Sequence, residues 1–171
     1  MSDVAPPATL AHALARFDAL PPVTTAEMHG HWRGYGEPTG HDMDGLLEAY
    51  AWYGKSFLSD EAVHPLVFRR RDGVTYAIDP RRIPLGLARY RTLTRHPLAR
   101  GLFHLATPLL RTTQPRARLR AVTCRGVTTA AMVYDHLPII DCFRRLSADA
   151  VLGLMDLRGA APFFFRLERI T

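Results

Sequence analysis

The sequence predicts a mainly β chain folded as an antiparallel barrel or sandwich with a few short helices. Three observations point there. Short runs with strand-type alternation recur through the last third of the chain, each closed by a turn signal. Asp72-Gly73, between the apolar runs Leu66 to Arg71 and Val74 to Ile78, is the strongest hairpin signal present. Helical periodicity is confined to short stretches, and few helices beside many short strands is the pattern of an all-β layer architecture. At 171 residues the chain suits one domain.

The elements follow in order. Residues 1–22 read as a proline-rich tail and a short helix, in which Thr9 can act as N-cap, Leu10, Leu14 and Phe17 share a face, and Pro21-Pro22 stops the run. Residues 23–171 read as a single β domain. It begins with a strand-like stretch around His29 to Tyr35 and the polar turn Glu37-Pro38-Thr39-Gly40. Asp42 or Asp44 can cap a second helix carrying Leu46, Leu47, Tyr50, Ala51, Tyr53 and Phe57, with Trp52 off its apolar face. The Asp72-Gly73 hairpin comes next. Residues 80–117 form an irregular excursion broken by Pro80, Pro84, Pro97, Pro108 and Pro115, with room for a helix over Leu98 to Ala106 but too few periodic apolar positions for a separate core. Leu119 to Cys124, Thr128 to Tyr134, Val151 to Leu157 and Phe163 to Glu168 read as strands, with turns at Arg125-Gly126 and Asp156 to Gly159. Pro138 to Arg145 suits a strand or a helical turn, and Asp141 is awkward in either. No period of about 20–50 residues repeats, which excludes a solenoid.

Composition excludes several classes. Hydrophobic content of 47% with a net charge of +6 is not that of a disordered chain. Two cysteines, Cys124 and Cys142, make no disulfide framework and lack metal-ligand spacing. No apolar run approaches the roughly 20 residues that span a bilayer, and the first residues lack the basic flank and apolar core of a secretory signal. The expectation is a cytoplasmic protein with no membrane partner, monomeric or homodimeric. The charge is uneven: Arg81 to Arg120 holds ten arginines and no acid, and the remainder sums to −4. Such asymmetry suits a polyanion partner. Yet Lys55 is the only lysine of the chain, so arginine is a general preference here, and the basic segment interleaves with Leu85-Gly86-Leu87 and Leu102-Phe103-His104-Leu105. A segment draped over the barrel, or paired with the acidic remainder, fits better than a nucleic-acid surface.

Gly30-His31-Trp32-Arg33-Gly34, continuing through Thr39-Gly40-His41 and Trp52-Tyr53-Gly54-Lys55-Ser56-Phe57 into Pro65-Leu66, resembles the GXWXG motif. Arg125-Gly126-Val127, Ala131 to Asp135, Pro138 to Asp141, Leu152 to Asp156 and Phe164 to Arg169 resemble the partner module of the same proteins, DUF4334. The two modules would span about 24–79 and about 118–169. The resemblance implies a lipocalin-like or nitrobindin-like antiparallel β-barrel with an interior cavity, and no settled activity.

Several side chains can carry chemistry. Trp32, flanked by glycines that let other backbone approach, suits a plug at a barrel end or a surface on which a ligand stacks; Arg33 alternates to the other face. Tyr134, Asp135 and Asp141 are the polar candidates, because carboxyls beside a phenol in an apolar setting can act as acid and base. Alternation lets only one of Tyr134 and Asp135 face a cavity, and Asp141, between Ile140 and Cys142-Phe143, is the better base; capping of backbone amides around Pro138 is the plainer role. Lys55, beside Trp52, Tyr53 and Phe57, can bind a carboxylate, stabilise an enolate or form an imine, or can simply run along an apolar face to water. The residues expected to face a ligand are Trp32, His31, Trp52, Tyr53, Met132, Met155 and Phe164.

His29 and His31 share a strand face, and His41 and His64 lie in the same half, but no third ligand follows at a diagnostic spacing, so no metal is expected. Nitrobindin-like haem proteins use a histidine near the carboxyl end; none follows His136, and Met155 or Cys142 would have to replace it. Cys142 beside Asp141 lacks a cue for thiolate activation. The expectation is therefore a cavity that takes a small, mostly apolar molecule bearing an anionic or carbonyl group. On that molecule the protein is expected to act as a cofactor-independent isomerase, lyase or cyclase. The alternative is a non-catalytic binder of a small ligand or haem, and a polyanion-binding module comes third.

Overall fold

The computed structural model of the protein describes residues 9–70, 72–83 and 96–170. The proline-rich tail, Arg71 and the segment with Pro84 and Leu85-Gly86-Leu87 lie outside them. The elements are α1 (Leu10–Ala19), α2 (Thr25–Met28), β1 (Gly30–Gly36), α3 (Leu46–Ala49), β2 (Trp52–Phe57), β3 (Val63–Arg69), β4 (Thr75–Ile78), a 3-10 turn (Pro80–Arg82), α4 (Pro97–Leu110), β5 (Arg111–Thr112), β6 (Ala117–Cys124), β7 (Val127–Tyr134), β8 (Ile139–Ser147), β9 (Ala150–Leu157) and β10 (Phe163–Arg169).

The strands close into an antiparallel barrel of eight. The order β2-β1-β10-β9-β8-β7-β6-β3 returns from β3 to β2, and β4 and β5 extend outward from β3. The weakest seam is β3–β6, paired only at Val63 and Ala117; beyond it β3 turns to β4 at Val67 to Arg69. Closure removes the sheet edges that an open sheet would expose. Alternation then divides the apolar residues into two cores. The barrel interior holds Trp32, Phe57, Met132, Phe143, Phe165 and Leu167 among others, while Phe17 and Ala13 of α1 cover Ala131, Cys142, Leu152, Leu154 and Phe164 on the outer face. The helix forms as its sequence dictates: the Thr9 side chain accepts from the His12 N–H, and Phe17 meets the Phe164 ring edge-on at 6.1 Å.

The two barrel ends differ. One is sealed by Trp32, whose Nε1 donates to the Met28 carbonyl at 2.8 Å while the Arg169 guanidinium lies 4.3 Å over the indole. The short α2 that supplies Met28 is held by a capping box between Thr24 and Glu27. The glycines around Trp32 have a measurable purpose. A Cβ on Gly34 would lie 2.0 Å from the Trp52 ring, and one on Gly54 would lie 1.8 Å from the Trp32 carbonyl oxygen.

The expected helix through Phe57 is corrected. Only Leu46–Ala49 is helical; Ala51 takes a left-handed φ of 55° that ends it, and Trp52–Phe57 becomes β2 between β1 and β3. The apolar spacing of residues 46–57 fits either period, and strand pairing on both sides decides it. Trp52 therefore lies in the barrel interior. Pro138 to Arg145, open between two forms, is strand β8, and the helix expected over Leu98 to Ala106 extends to Pro97–Leu110.

Gly34→Ala is expected to destabilise the protein by about 1–3 kcal/mol, because the Trp52 ring must shift to admit a methyl group. Denaturant unfolding checks this, and a change below about 0.5 kcal/mol, the size of a neutral surface substitution, would mean that the close approach carries no weight.

Candidate functional site

The other end of the barrel opens into a cavity of about 490 Å³, within the range of small-molecule sites. Its walls are Trp52 and Lys55 of β2, Leu66 and Phe68 of β3, Tyr134 of β7, Ile139 and Asp141 of β8, Met155 of β9, and Phe163 and Phe165 of β10. Leu46, Leu47 and Tyr50 close one side of the mouth, and α4 supplies Phe103 and Ala106 on the other. Apart from Lys55, Asp141, Tyr134 and Arg82, nearly every lining side chain is apolar.

Strand register explains how charges reach this wall. On β8, Ile139, Asp141 and Phe143 point inward, so Asp141 is level with Met132 on one side and Met155 on the other. On β2, strict alternation would send Trp52 and Lys55 to opposite faces. The register shift between Trp52 and Gly54 breaks the alternation and turns Trp52 inward as well as Lys55, which sits opposite Trp32 in unbroken register with β1 and shares the parity of Phe57. Lys55 Nζ then meets Asp141 Oδ2 at 3.0 Å, the two side chains being 4% and 1% exposed. The ammonium also donates to the Pro65 carbonyl at 3.2 Å and has the rings of Phe165, Trp52 and Tyr134 around it at 5.0, 5.5 and 5.9 Å.

The electrostatics follow from burial. Burial raises the Asp141 pKa above the ordinary 3.8, against the pull of Lys55. The Tyr134 hydroxyl is pushed well above its usual 10, first by burial and then by the Asp141 charge, so it stays a neutral donor. Asp141 Oδ1 is buried with no hydrogen-bond partner among the described residues, as is Trp52 Nε1. One acceptor, one indole donor, an ammonium and a phenol thus converge on an otherwise apolar space. That set can take a proton with the carboxylate and hold a developing oxyanion with the ammonium and phenol.

Of the residues singled out from sequence, Lys55, Asp141, Tyr134, Trp52 and Met155 line the cavity. The others stand elsewhere. Asp135 falls just past the end of β7 and pairs at the surface with Arg118 at 2.8 Å. Trp32 seals the opposite end, and Met132 is buried in the interior core without lining the cavity. His31 faces outward, with Nδ1 2.8 Å from the Ser56 hydroxyl. Tyr53 lies outside the barrel between Arg33 and Arg69, whose guanidinium carbons are 4.4 and 5.4 Å from its ring centre. Phe164 points outward under α1. For His31, Tyr53 and Phe164 strand parity opposes the assignment, and Phe163 and Phe165 take the place expected of Phe164. Arg166 shows which parity to choose: it shares a face with Phe164 and reaches solvent, which leaves the odd-numbered positions for the interior.

His29 lies 2.8 Å from Asp60, and no group of three or more His, Cys, Asp or Glu side chains among the described residues is placed to hold a metal. Among the described residues, no histidine or cysteine lines the cavity. The Cys142 thiol is pushed up by its hydrogen bond with Cys124 and by burial, with Asp141 adding to the rise. Within the basic segment, Arg81 and Arg116 pair with buried Asp79, whose carboxyl is held down at about 2 chiefly by the Arg81 hydrogen bonds, and Arg120 pairs with Glu61.

Lys55→Met leaves a buried carboxylate unpaired, and the expected loss is about 3–5 kcal/mol, most of which the double variant Lys55→Met/Asp141→Leu recovers. Denaturant unfolding of the three proteins tests this; a double variant no more stable than the single one would contradict it. The Asp141 pKa is raised in the folded state, so that state holds the proton more tightly than the unfolded chain. The stability the group supplies is full below about 3.8 and is lost as pH rises through the raised value. Relative to Asp141→Asn, the unsubstituted protein should lose stability over that window, and a pH-independent difference would contradict the direction of the shift.

Residues 15–73 match the family model described as GXWXG protein, and residues 115–169 match the model described as a domain of unknown function, DUF4334. The chain is similar to a protein from Thermomonospora curvata whose crystal structure is known, with 33% identity, a TM-score of 0.69, and coverage of 94% of this chain and 87% of that one. No curated protein matches the chain. With an amino-terminal module that supplies the Trp32 plug and Lys55, and a carboxyl-terminal module that supplies Tyr134 and Asp141, the chain belongs to the family of GXWXG proteins that carry a DUF4334 domain.

Proposed function

We propose that the barrel cavity binds a small, mostly apolar molecule bearing a carbonyl or anionic group. The protein then moves a proton on that molecule in the manner of a cofactor-independent isomerase, lyase or cyclase. The observation that carries this reading is the buried Lys55–Asp141 pair, with Asp141 Oδ1 unpartnered in the cavity wall beside Tyr134. A carboxylate so placed has its basicity raised by burial, which suits a general base.

In this reading the apolar body of the ligand fills the space among Phe68, Phe103, Phe163 and Phe165, and its carbonyl oxygen approaches Lys55 Nζ and the Tyr134 hydroxyl. Asp141 Oδ1 removes a proton from the carbon next to the carbonyl. The C–H electron pair forms the enolate double bond, and the negative charge moves to the oxygen held by the ammonium and phenol. Return of the proton to a different carbon gives an isomer; expulsion of a group from the neighbouring carbon gives a lyase product; attack of the enolate carbon on a second electrophile of the same molecule closes a ring. The base must be ionised, so the rate rises as pH passes the raised Asp141 pKa. The second reading is a non-catalytic binder, favoured by how few polar groups the wall carries.

Deuterium incorporation from heavy water into a panel of apolar ketones, followed by mass spectrometry, tests the proposal, with anilinonaphthalene sulfonate fluorescence reporting occupancy of the cavity. Exchange above the buffer rate that falls about 100-fold or more in Asp141→Asn, with dye affinity kept, is expected for loss of a general base. Unchanged exchange in that variant would reject Asp141 as the base. Ketones that displace the dye and are recovered without deuterium would support the binding-only reading.

A further inference from the structure

We propose that α4 is a docking surface for a bilayer of anionic lipid, placed at the mouth of the cavity. Among the described residues, Leu98, Leu102, Leu105 and Leu109 of this helix are 76, 67, 78 and 75% exposed. They follow one another at i, i+4, i+7 and i+11 and so form one stripe along the helix. Single exposed apolar residues are ordinary, but a continuous row of leucines on one element marks a surface that water does not normally cover. The neighbouring face of the same helix, with Phe103 and Ala106, lines the cavity, and Leu102 belongs to both. The apolar wall of the cavity therefore continues onto the outside of the molecule.

Charge identifies the occupant. Residues 81–120 hold no acid; of their described arginines, Arg81, Arg116, Arg118 and Arg120 pair with carboxylates elsewhere in the chain, while Arg82 and Arg111 flank the helix. Arg82 at the cavity rim donates to the Leu109 carbonyl, and Arg111 directly follows the helix, its guanidinium 4.4 Å over the Tyr76 ring. Neither has a carboxylate within ion-pair distance among the described residues. A second copy of this chain would bring the same basic segment against itself. An anionic bilayer takes leucines into the boundary of its acyl region and arginines among its headgroups. At 14 residues α4 is too short to span and would lie in the plane of the interface. The expectation of no membrane partner rests on the absence of a spanning run, and an interfacial helix needs none. Docking stands on the leucines and arginines alone; passage of a ligand between bilayer and cavity rests in addition on the cavity being a binding site.

The test is co-sedimentation of the full chain with vesicles of phosphatidylcholine, with and without phosphatidylglycerol. The expected result is binding that needs phosphatidylglycerol, weakens with salt, and drops about tenfold or more in Leu105→Glu/Leu109→Glu. Both positions are outside the cavity lining and exposed, so the variant should keep its thermal unfolding and its dye binding. No binding to anionic vesicles, or equal binding by the variant, would overturn the proposal. So would a concentration-dependent dimer that the same variant dissolves, which would assign the stripe to a second copy. Dye binding measured without vesicles separates failure of docking from failure of the cavity reading.

Discussion

The Lys55 ammonium and the Asp141 carboxylate meet at 3.0 Å inside a wall that is otherwise almost wholly apolar, and the surrounding strands are arranged so that they can. Moving two charges from water into such a wall costs several kcal/mol each, which mutual attraction offsets only when the geometry is good and the remaining hydrogen-bonding groups are engaged. Here the pairing of β2 with β1 and β3 serves both needs. Lys55 faces inward in register with Trp32 of β1, and where the β2–β3 ladder slips between Gly54–Val67 and Ser56–His64 the Pro65 carbonyl is left to accept from it. The rings of Phe165, Trp52 and Tyr134 surround the ammonium with the negative faces of π systems. What is left over is Asp141 Oδ1, buried without a hydrogen-bond partner among the described residues.

The asymmetry of the barrel makes this group usable. At the sealed end Trp32 fills the interior and ties itself to Met28, and the cavity that Lys55 and Asp141 line lies toward the other end. The glycines bring the two ends together. Gly54 lets β2 run against the Trp32 carbonyl, and Gly34 gives up its side-chain volume to the Trp52 ring, which is at once part of the core and part of the cavity wall. The motif that plugs one end therefore also positions the aromatic wall of the other. At the mouth, α4 ends one side of the wall and carries its apolar character outward along a stripe of leucines.

Much of the fold is legible in the sequence because strand alternation and turn chemistry are local. Asp72-Gly73 turns β3 into β4, and Arg125-Gly126 turns β6 into β7, with Arg125 at a positive φ of 52°. The candidate base was legible for the same reason: Asp141 stands between apolar neighbours on a strand whose two faces are both covered, the inner by the core and the outer by α1. Legibility stopped where a non-local contact overrode the local pattern. Residues 46–57 carry spacing that suits a helix, and pairing with β1 and β3 makes their second half a strand. Trp52 joins Lys55 on the inner face because of a slip in register that no periodicity announces. Phe164 and Tyr53 are large aromatics of the wrong parity, and their outward faces are covered by α1 and by arginines instead of a ligand. Asp135 is displaced by a single position, from the inward-facing end of β7 to the surface beside Arg118.

Lys55 is the chain's only lysine, so isotope labelling of lysine yields one side-chain resonance, which reports on the centre of the site. The account predicts an ammonium signal shielded from solvent exchange, which moves when an apolar ketone enters the cavity and changes again when Asp141 is replaced by asparagine. An ammonium signal that exchanges freely with water and is indifferent to the ketone would contradict the claim that the buried Lys55–Asp141 pair is the heart of a binding site.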